Sequence, residues 1–324
     1  MENRQSIFRC PICATSFSLE QAGDLPCGHQ VMNDQGVLDF VQSEARKEER
    51  EFYQSVYEPT ETGQPLKSIA SLQPHWQDPW QPQNQRVFEE TGDLKGKKVL
   101  LIGNGTSEKE LYLLNQKPEL LIYSDLTPNA VRNIQQQFDL EEHKERLVFA
   151  AVDAHHMPLE DNSIDLLYGY GVVHHLPDLD RFFQEAHRVL KPGGRTLFMD
   201  DAYAPVWHYA KQTVLRPLMK YSHRATGISP EDYRFSMSGG FRPDTLGDQI
   251  RAVGAIPWFQ RMTFWGYVYH RGTLKLLPNR LWPAFHASPI AATLNEMDDR
   301  LTRFSTFRKN TIRLVWGLEK AVEY

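Results

Sequence analysis

Cysteine is scarce. The 324 residues contain three, at positions 10, 13 and 27, and none after the first tenth of the chain. Three thiols cannot close a disulfide framework, and their clustering points to metal binding or thiol chemistry instead. No stretch approaches the ~18 consecutive apolar residues of a membrane span. Met1-Glu2-Asn3-Arg4-Gln5 has no apolar core behind it, so no secretory signal is read. These absences predict a cytoplasmic chain without a membrane partner. A basic excess is missing too: 36 Lys and Arg face 41 Asp and Glu, a net charge of −5. That balance argues against a general nucleic-acid binder. In residues 1–45, Arg4 and Arg9 stand against Glu2, Glu20, Asp24, Asp34, Asp39 and Glu44. The acidic excess is therefore concentrated where phosphate contacts would need cations. A hydrophobic fraction of 41% excludes wholesale disorder.

Short apolar runs dominate what is present. Val99-Leu100-Leu101-Ile102 ends in Gly103-Asn104-Gly105, and Leu120-Leu121-Ile122-Tyr123 ends in Ser124-Asp125. Val148 to Val152 ends in Asp153, Ile164 to Tyr168 in Gly169, and Thr196 to Met199 in Asp200-Asp201. Continuous apolar runs separated by helical stretches are the pattern of βαβ units around a parallel sheet buried on both faces. Residues 52–95, rich in Gln, Pro and aromatics, predict one or two short helices and no sheet. After Asp201 the rhythm breaks, and 203–240 reads as a lid. Pro243 to Ala252 reads as a helix, 256–270 as a strand pair, and Leu294, Met297, Leu301 and Phe304 as one face of an amphipathic helix.

Candidate binding residues sit at the ends of these strands. Gly103 and Gly105 let the backbone turn tightly and approach a ligand. The helix expected after them offers N-terminal amides. Asp125 can accept both hydroxyls of a ribose, and Asp153 can accept from an exocyclic amine, with Leu126 or Met157 against an adenine face. Glu108 stands where a dinucleotide fingerprint has its third glycine, which argues against a nicotinamide dehydrogenase. Pro192-Gly193-Gly194 reads as a helix stop before the fifth strand.

The set Asp153…Pro158…Ile164-Asp165…His174-His175-Leu176…Arg188-Val189-Leu190-Lys191-Pro192-Gly193-Gly194 resembles the class I S-adenosylmethionine-dependent methyltransferases, in the branch that includes small-molecule enzymes. The resemblance covers about 96–270. It implies a Rossmann-like α/β fold with a seven-stranded sheet whose last strand is antiparallel, ending in a hairpin over 256–270. It implies that Gly103, Asn104 and Gly105 form the cofactor loop, that Asp125 and Leu126 meet the ribose and base, and that Asp153 and Ala154 meet the adenine. It places Tyr170 at the cofactor's reactive end, and Tyr53 and Tyr57 in a covering segment. Two departures are Leu101, where the family usually has an acid, and Ser107, where it has a third glycine.

Methyl transfer needs an aligned nucleophile in a dry pocket, and aromatic faces can stabilise the sulfonium. Tyr53, Tyr57, Trp76, Trp80, Tyr168, Tyr170, Tyr203 and Trp207 are available for that. His174 and His175 are the candidate general bases, ahead of His155, His156, His208 and His223. The expected reaction is methylation of a small molecule. The alternative is a reaction at another carbon of the sulfonium: aminocarboxypropyl transfer, or cyclisation as in azetidine-2-carboxylate synthases. Leu101 is compatible with the latter. RNA methylation and an inactive binding module complete the alternatives.

Cys10-x2-Cys13 with Cys27-x-His29 has the ligand types of a tetrahedral zinc site. With Gly36-Val37-Leu38-Asp39-Phe40 it resembles small zinc ribbons fused ahead of methyltransferases. The resulting division is a zinc-ribbon-like unit over 1–45, a helical and aromatic cap over 46–95, and the cofactor-binding core over 96–202. A lid over 203–240, the end of the sheet over 241–272 and a helical segment over 273–324 complete it.

Overall fold

The computed structural model describes residues 7–41, 46–58, 65–72, 87–203, 205, 209, 240–262, 284, 288–301, 303–309 and 313–322. Near the N-terminus, β1 (Phe8–Arg9) pairs antiparallel with β2 (Ser16–Phe17), and β3 (Met32–Asp34) forms a hairpin with β4 (Val37–Asp39). Gln35 and Gly36 make that turn at φ +54° and +86°, the left-handed backbone that tight hairpins select. Helix α1 covers Lys47–Val56. Strand β5 (Lys67–Ser68) pairs with β8 (Phe138–Asp139), so the cap region contributes a strand where none is expected.

The five apolar runs are the strands β6 (Lys98–Leu101), β7 (Leu120–Asp125), β9 (Leu147–Ala151), β10 (Ile164–Tyr170) and β11 (Leu190–Asp201). Between them lie the 3-10 helix Lys109–Gln116, α2 (Pro128–Gln135), and α3 (Leu179–Val189). Helix α3 starts where the Asp178 carboxylate accepts from Arg181 N at 2.9 Å, the usual N-cap arrangement. It buries Phe182, Phe183, Ala186 and Val189 at helical spacing. It ends at Val189, and β11 begins at once. Pro192-Gly193-Gly194 is therefore not the helix stop; it lies within the strand, where the pairing of β10 with β11 shifts register. Then follow α4 (Pro243–Ala252), β12 (Ile256–Met262), α5 (Pro289–Leu301), α6 (Ser305–Arg308) and β13 (Arg313–Glu319).

Among the described residues the sheet has nine strands in the order β12-β13-β11-β10-β6-β7-β9-β4-β3. Seven of them, β12 through β9, are the strands the resemblance implies, with β13 antiparallel to both neighbours. The other two come from the N-terminal hairpin, because β4 joins β9 in parallel. Val37, Leu38 and Asp39 are all buried, as an inner strand requires. The ribbon-like segment is thus stitched into the main sheet. Its Ile7, Phe8, Phe17 and Phe40 pack in one core with Leu100, Ile102 and Phe182. Val99 and Leu101 belong to the core on the sheet's other face, the alternation expected of a strand.

Two further expectations are corrected. The partner of β12 is β13, from the far end of the chain, and 263–270 lies outside the described residues. The segment 273–324 is not only helical, because the run Leu314-Val315-Trp316-Gly317-Leu318 is buried inside the sheet. The segment read as a lid, 203–240, lies outside the described residues apart from Tyr203, Pro205, Tyr209 and Gly240. Trp76, Trp80, Trp207, His208 and His223 also lie outside them.

Candidate functional site

The order of the sheet reverses between β6 and β10, and open α/β sheets bind ligands at such a switch point, beyond the strand C-termini. A cleft opens there, lined by Ile102, Gly103, Asp125, Leu126, Ala154 and Val172, with side chains of α1 opposite. Gly103 and Gly105 turn the chain at φ +58° and +54°. A Cβ on Gly103 would lie 2.0 Å from Val172 Cγ2, and one on Gly105 would lie 2.8 Å from Tyr57 Oη. Only glycine permits this approach. Gly105 N donates to Asp125 Oδ2 at 2.8 Å, and Thr127 N donates to Oδ1 at 3.1 Å. Burial pushes the Asp125 carboxyl up against these hydrogen bonds. Asn104, between the two glycines, has its side-chain amide buried and without a hydrogen-bond partner.

Helix α1 presents one stripe to the cleft: Arg46 at its N-cap, then Glu49, Tyr53 and Tyr57. The spacing of three and four is that of a single helical face. Tyr53 and Tyr57 are the expected covering residues, and burial pushes the Tyr57 hydroxyl up. Arg46 and Glu49 were not singled out from sequence, although they continue the stripe by one turn. They pair at 2.7 Å and are both buried. Arg50, one turn after Arg46, anchors the helix to Asp39 and to Val41 O of the N-terminal module.

Beside this stripe, Asp153 is 4% exposed and does not itself line the cleft. Its Oδ1 accepts from His155 N at 2.9 Å and lies 2.8 Å from His155 Nδ1, which is 3.1 Å from Arg46 Nη1. Burial alone would raise the Asp153 carboxyl, but the His155 hydrogen bonds outweigh it and hold it at about 2.

The paired histidines have different partners. His175 lines the cleft, with Nδ1 3.2 Å from Tyr53 Oη. His174, whose ring centroid is 4.1 Å from that of His175, places Nδ1 2.8 Å from Asp200 Oδ1. Asp200 is fully buried and its Oδ2 accepts from Trp316 Nε1 at 3.2 Å. A buried carboxylate bonded to one ring nitrogen fixes an imidazole's orientation. Asp200 closes an apolar run just as Asp125 and Asp153 do, which is the signal that could have marked it. Tyr170 is placed elsewhere. It packs with the core on the far face, under Lys109 Nζ at 3.2 Å from its ring centroid, and does not line the cleft.

In the N-terminal module the ligand atoms of Cys10, Cys13, Cys27 and His29 lie within 4.8 Å of one another. His29 Nδ1 is 3.4 Å from Cys10 Sγ and 3.5 Å from Cys27 Sγ. Three thiols and one imidazole at this separation have the donor set and size of a tetrahedral zinc site. Burial pushes the Cys10 thiol up, whereas the hydrogen bond with Thr15 brings Cys13 down to about 6. No helix among the described residues is long and apolar enough to cross a membrane.

Residues 100–198 match the family model described as a methyltransferase domain. The chain is 28% identical over 116 residues to methyltransferase GfsG of Streptomyces halstedii, covering 36% of this chain and 42% of that protein. It is 27% identical over 110 residues to 27-O-demethylrifamycin SV methyltransferase of Amycolatopsis mediterranei, covering 34% and 40%. These matches span less than half the length of either relative. Among solved structures, a Haemonchus contortus phosphoethanolamine N-methyltransferase 2, in complex with phosphomonomethylethanolamine and S-adenosylhomocysteine, matches with a TM-score of 0.51 and 17% identity. That match covers 75% of this chain and 53% of the other.

Proposed function

We propose that this chain, whose sheet domain belongs to the class I S-adenosylmethionine-dependent methyltransferases, binds S-adenosylmethionine in the cleft described above and methylates a small molecule. The observation that carries the reading is the glycine loop bonded to Asp125 beneath Tyr57, at the sheet's switch point. The close approach there is one that any Cβ would fill. Gly103, Asn104 and Gly105 would cradle the cofactor, with Asp125 on the ribose hydroxyls. Leu126 and Ala154 would flank the adenine, with Asp153 on its amine.

Bound S-adenosylmethionine supplies an electrophilic methyl group on a sulfonium. The chain's own residues do the rest. Tyr53 and Tyr57 exclude water and offer aromatic faces to a cation. His175 can hold or pass a proton through its contact with the Tyr53 hydroxyl. His174, oriented by Asp200, stands as a second base. The net charge of −5 suits a small-molecule acceptor rather than RNA. Zinc at Cys10, Cys13, Cys27 and His29 would be structural, and a cytoplasmic site of action agrees with free thiols.

Calorimetry with S-adenosylhomocysteine tests the reading. The wild type should bind one equivalent, and Asp125→Asn should weaken binding by about 10- to 100-fold, the value of hydrogen bonds to a charged group. Absence of saturable binding would overturn it.

A further inference from the structure

Three buried polar atoms beside the cleft, which Arg46 alone of these residues lines, have no hydrogen-bond partner: Arg46 Nε, Asp153 Oδ2 and His155 Nε2; His156 Nδ1 stands 3.6 Å from Asp153 Oδ2. All three residues are more than nine-tenths buried, at 7%, 4% and 4% exposure. They form one cluster, because His155 Nδ1 touches both Asp153 Oδ1 and Arg46 Nη1. Orphaned buried polar groups are uncommon, and several in one cluster call for a ligand.

The cluster is also costly as mere architecture. Taking a guanidinium and a carboxylate out of water is costly, and the Arg46–Glu49 pair returns that cost only in part. Apolar residues at these two positions of α1 would seat the helix more cheaply. Charge narrows the ligand. Glu49, Asp125 and Asp153 bring three carboxylates around one guanidinium, so a phosphate would meet repulsion here. The neighbouring cleft walls, Leu126 and Ala154, are apolar and suit a flat neutral ring.

Arg46 Nε can only donate, and the Asp153 carboxylate can only accept. A 6-aminopurine presents the complement on one edge: an amine that donates, next to a ring nitrogen that accepts. We infer that Arg46 reads the base of the bound nucleoside, donating from Nε to a ring nitrogen beside the amine that Asp153 accepts. This makes Arg46, supplied by α1 from outside the sheet domain, the residue that sets adenine specificity. The inference rests on the cofactor reading above.

The test is calorimetry with S-adenosylhomocysteine, S-inosylhomocysteine, and the 1-deaza and 7-deaza analogues of S-adenosylhomocysteine. Wild type, Arg46→Met and Arg46→Lys are compared, with thermal melting to verify folding. The inosine compound turns the donor that faces Asp153 into an acceptor, so the wild type should bind it at least about 100-fold more weakly, as unpaired buried groups demand. One deaza analogue should lose about 10-fold against the wild type and nothing against Arg46→Met. Arg46→Lys should bind S-adenosylhomocysteine more weakly than the wild type and likewise ignore that nitrogen, and it serves if Arg46→Met does not fold. A merely structural Arg46 would weaken all four ligands equally. The inference is overturned if a folded Arg46 variant binds S-adenosylhomocysteine as the wild type does, or keeps the wild type's discrimination among analogues. If the wild type itself does not bind S-adenosylhomocysteine, the cofactor reading falls instead.

Discussion

At Asp153 the balance between burial and hydrogen bonding sets a pH dependence. Its carboxyl titrates at about 2 in the folded protein against an ordinary value of 3.8, because His155 hydrogen bonds outweigh desolvation. A depressed carboxylate stabilises the fold above the unfolded value and loses that contribution as pH falls through the folded one. The contribution is about 2 kcal/mol, present above pH ~4 and lost toward pH ~2. Urea unfolding at pH 6 and pH 3 should show Asp153→Asn destabilised at pH 6 and closer to the wild type at pH 3. Equal destabilisation at both would contradict the assignment. Strand-end acids such as Asp125 and Asp153 are legible in sequence because an apolar run makes the following polar residue conspicuous. Arg46 and Glu49 are not, because a charged pair at the start of a helix looks like a solvated face. Tyr170 misleads for a related reason. It shares strand parity with Tyr168, and both side chains go to the core on the far face.

Among the elements, β13 was the least legible. Its buried run is five residues long and follows a stretch with helical periodicity, so local pattern gives no hint of an inner strand. The structure makes it the link between β11 and β12. Trp316 is fully buried there, with Phe183, Phe198 and Phe241 rings at centroid distances of 6.0, 4.9 and 5.6 Å. Truncation to Ala should cost about 3–5 kcal/mol, the range for a large buried aromatic. It should also remove a donor from Asp200 and so loosen His174. Chemical denaturation measures the first effect and the titration of His174 by NMR the second. A loss below about 1 kcal/mol would show that β13 does not carry the packing described. The parallel strands β6, β7, β9 and β10, by contrast, were readable almost to their ends, since burial on both faces leaves little ambiguity of period, whereas the start of β11 was read as a helix stop.

For the whole molecule, the placement of the N-terminal module changes what metal loss should do. Because β4 pairs with β9, and Asp39 holds Arg50 of α1, the cysteine cluster is tied to the strand and helix that frame the cleft. Elemental analysis should find about one zinc per chain, the expectation for a closed Cys3His site. Cys10→Ser or Cys27→Ser should lose the metal and lower the melting temperature of the whole sheet in one transition. A separate low-temperature transition, or metal-free protein of unchanged stability, would contradict this coupling. Residue type and spacing single out the four candidate ligands, but their union with the main sheet depends on a pairing 112 residues away, which no local pattern reveals.

The central claim is methyl transfer, and Leu101 sharpens its test. That position is fully buried and apolar, so no carboxylate stands there to hold the cofactor's amine charged, and attack on the γ-carbon is the rival chemistry. The direct measurement is mass spectrometry of the products formed from methyl-labelled S-adenosylmethionine, with and without a pool of small-molecule acceptors. The account predicts S-adenosylhomocysteine that accumulates only with acceptor, and label recovered in that acceptor. Methylthioadenosine formed from the cofactor alone would contradict it.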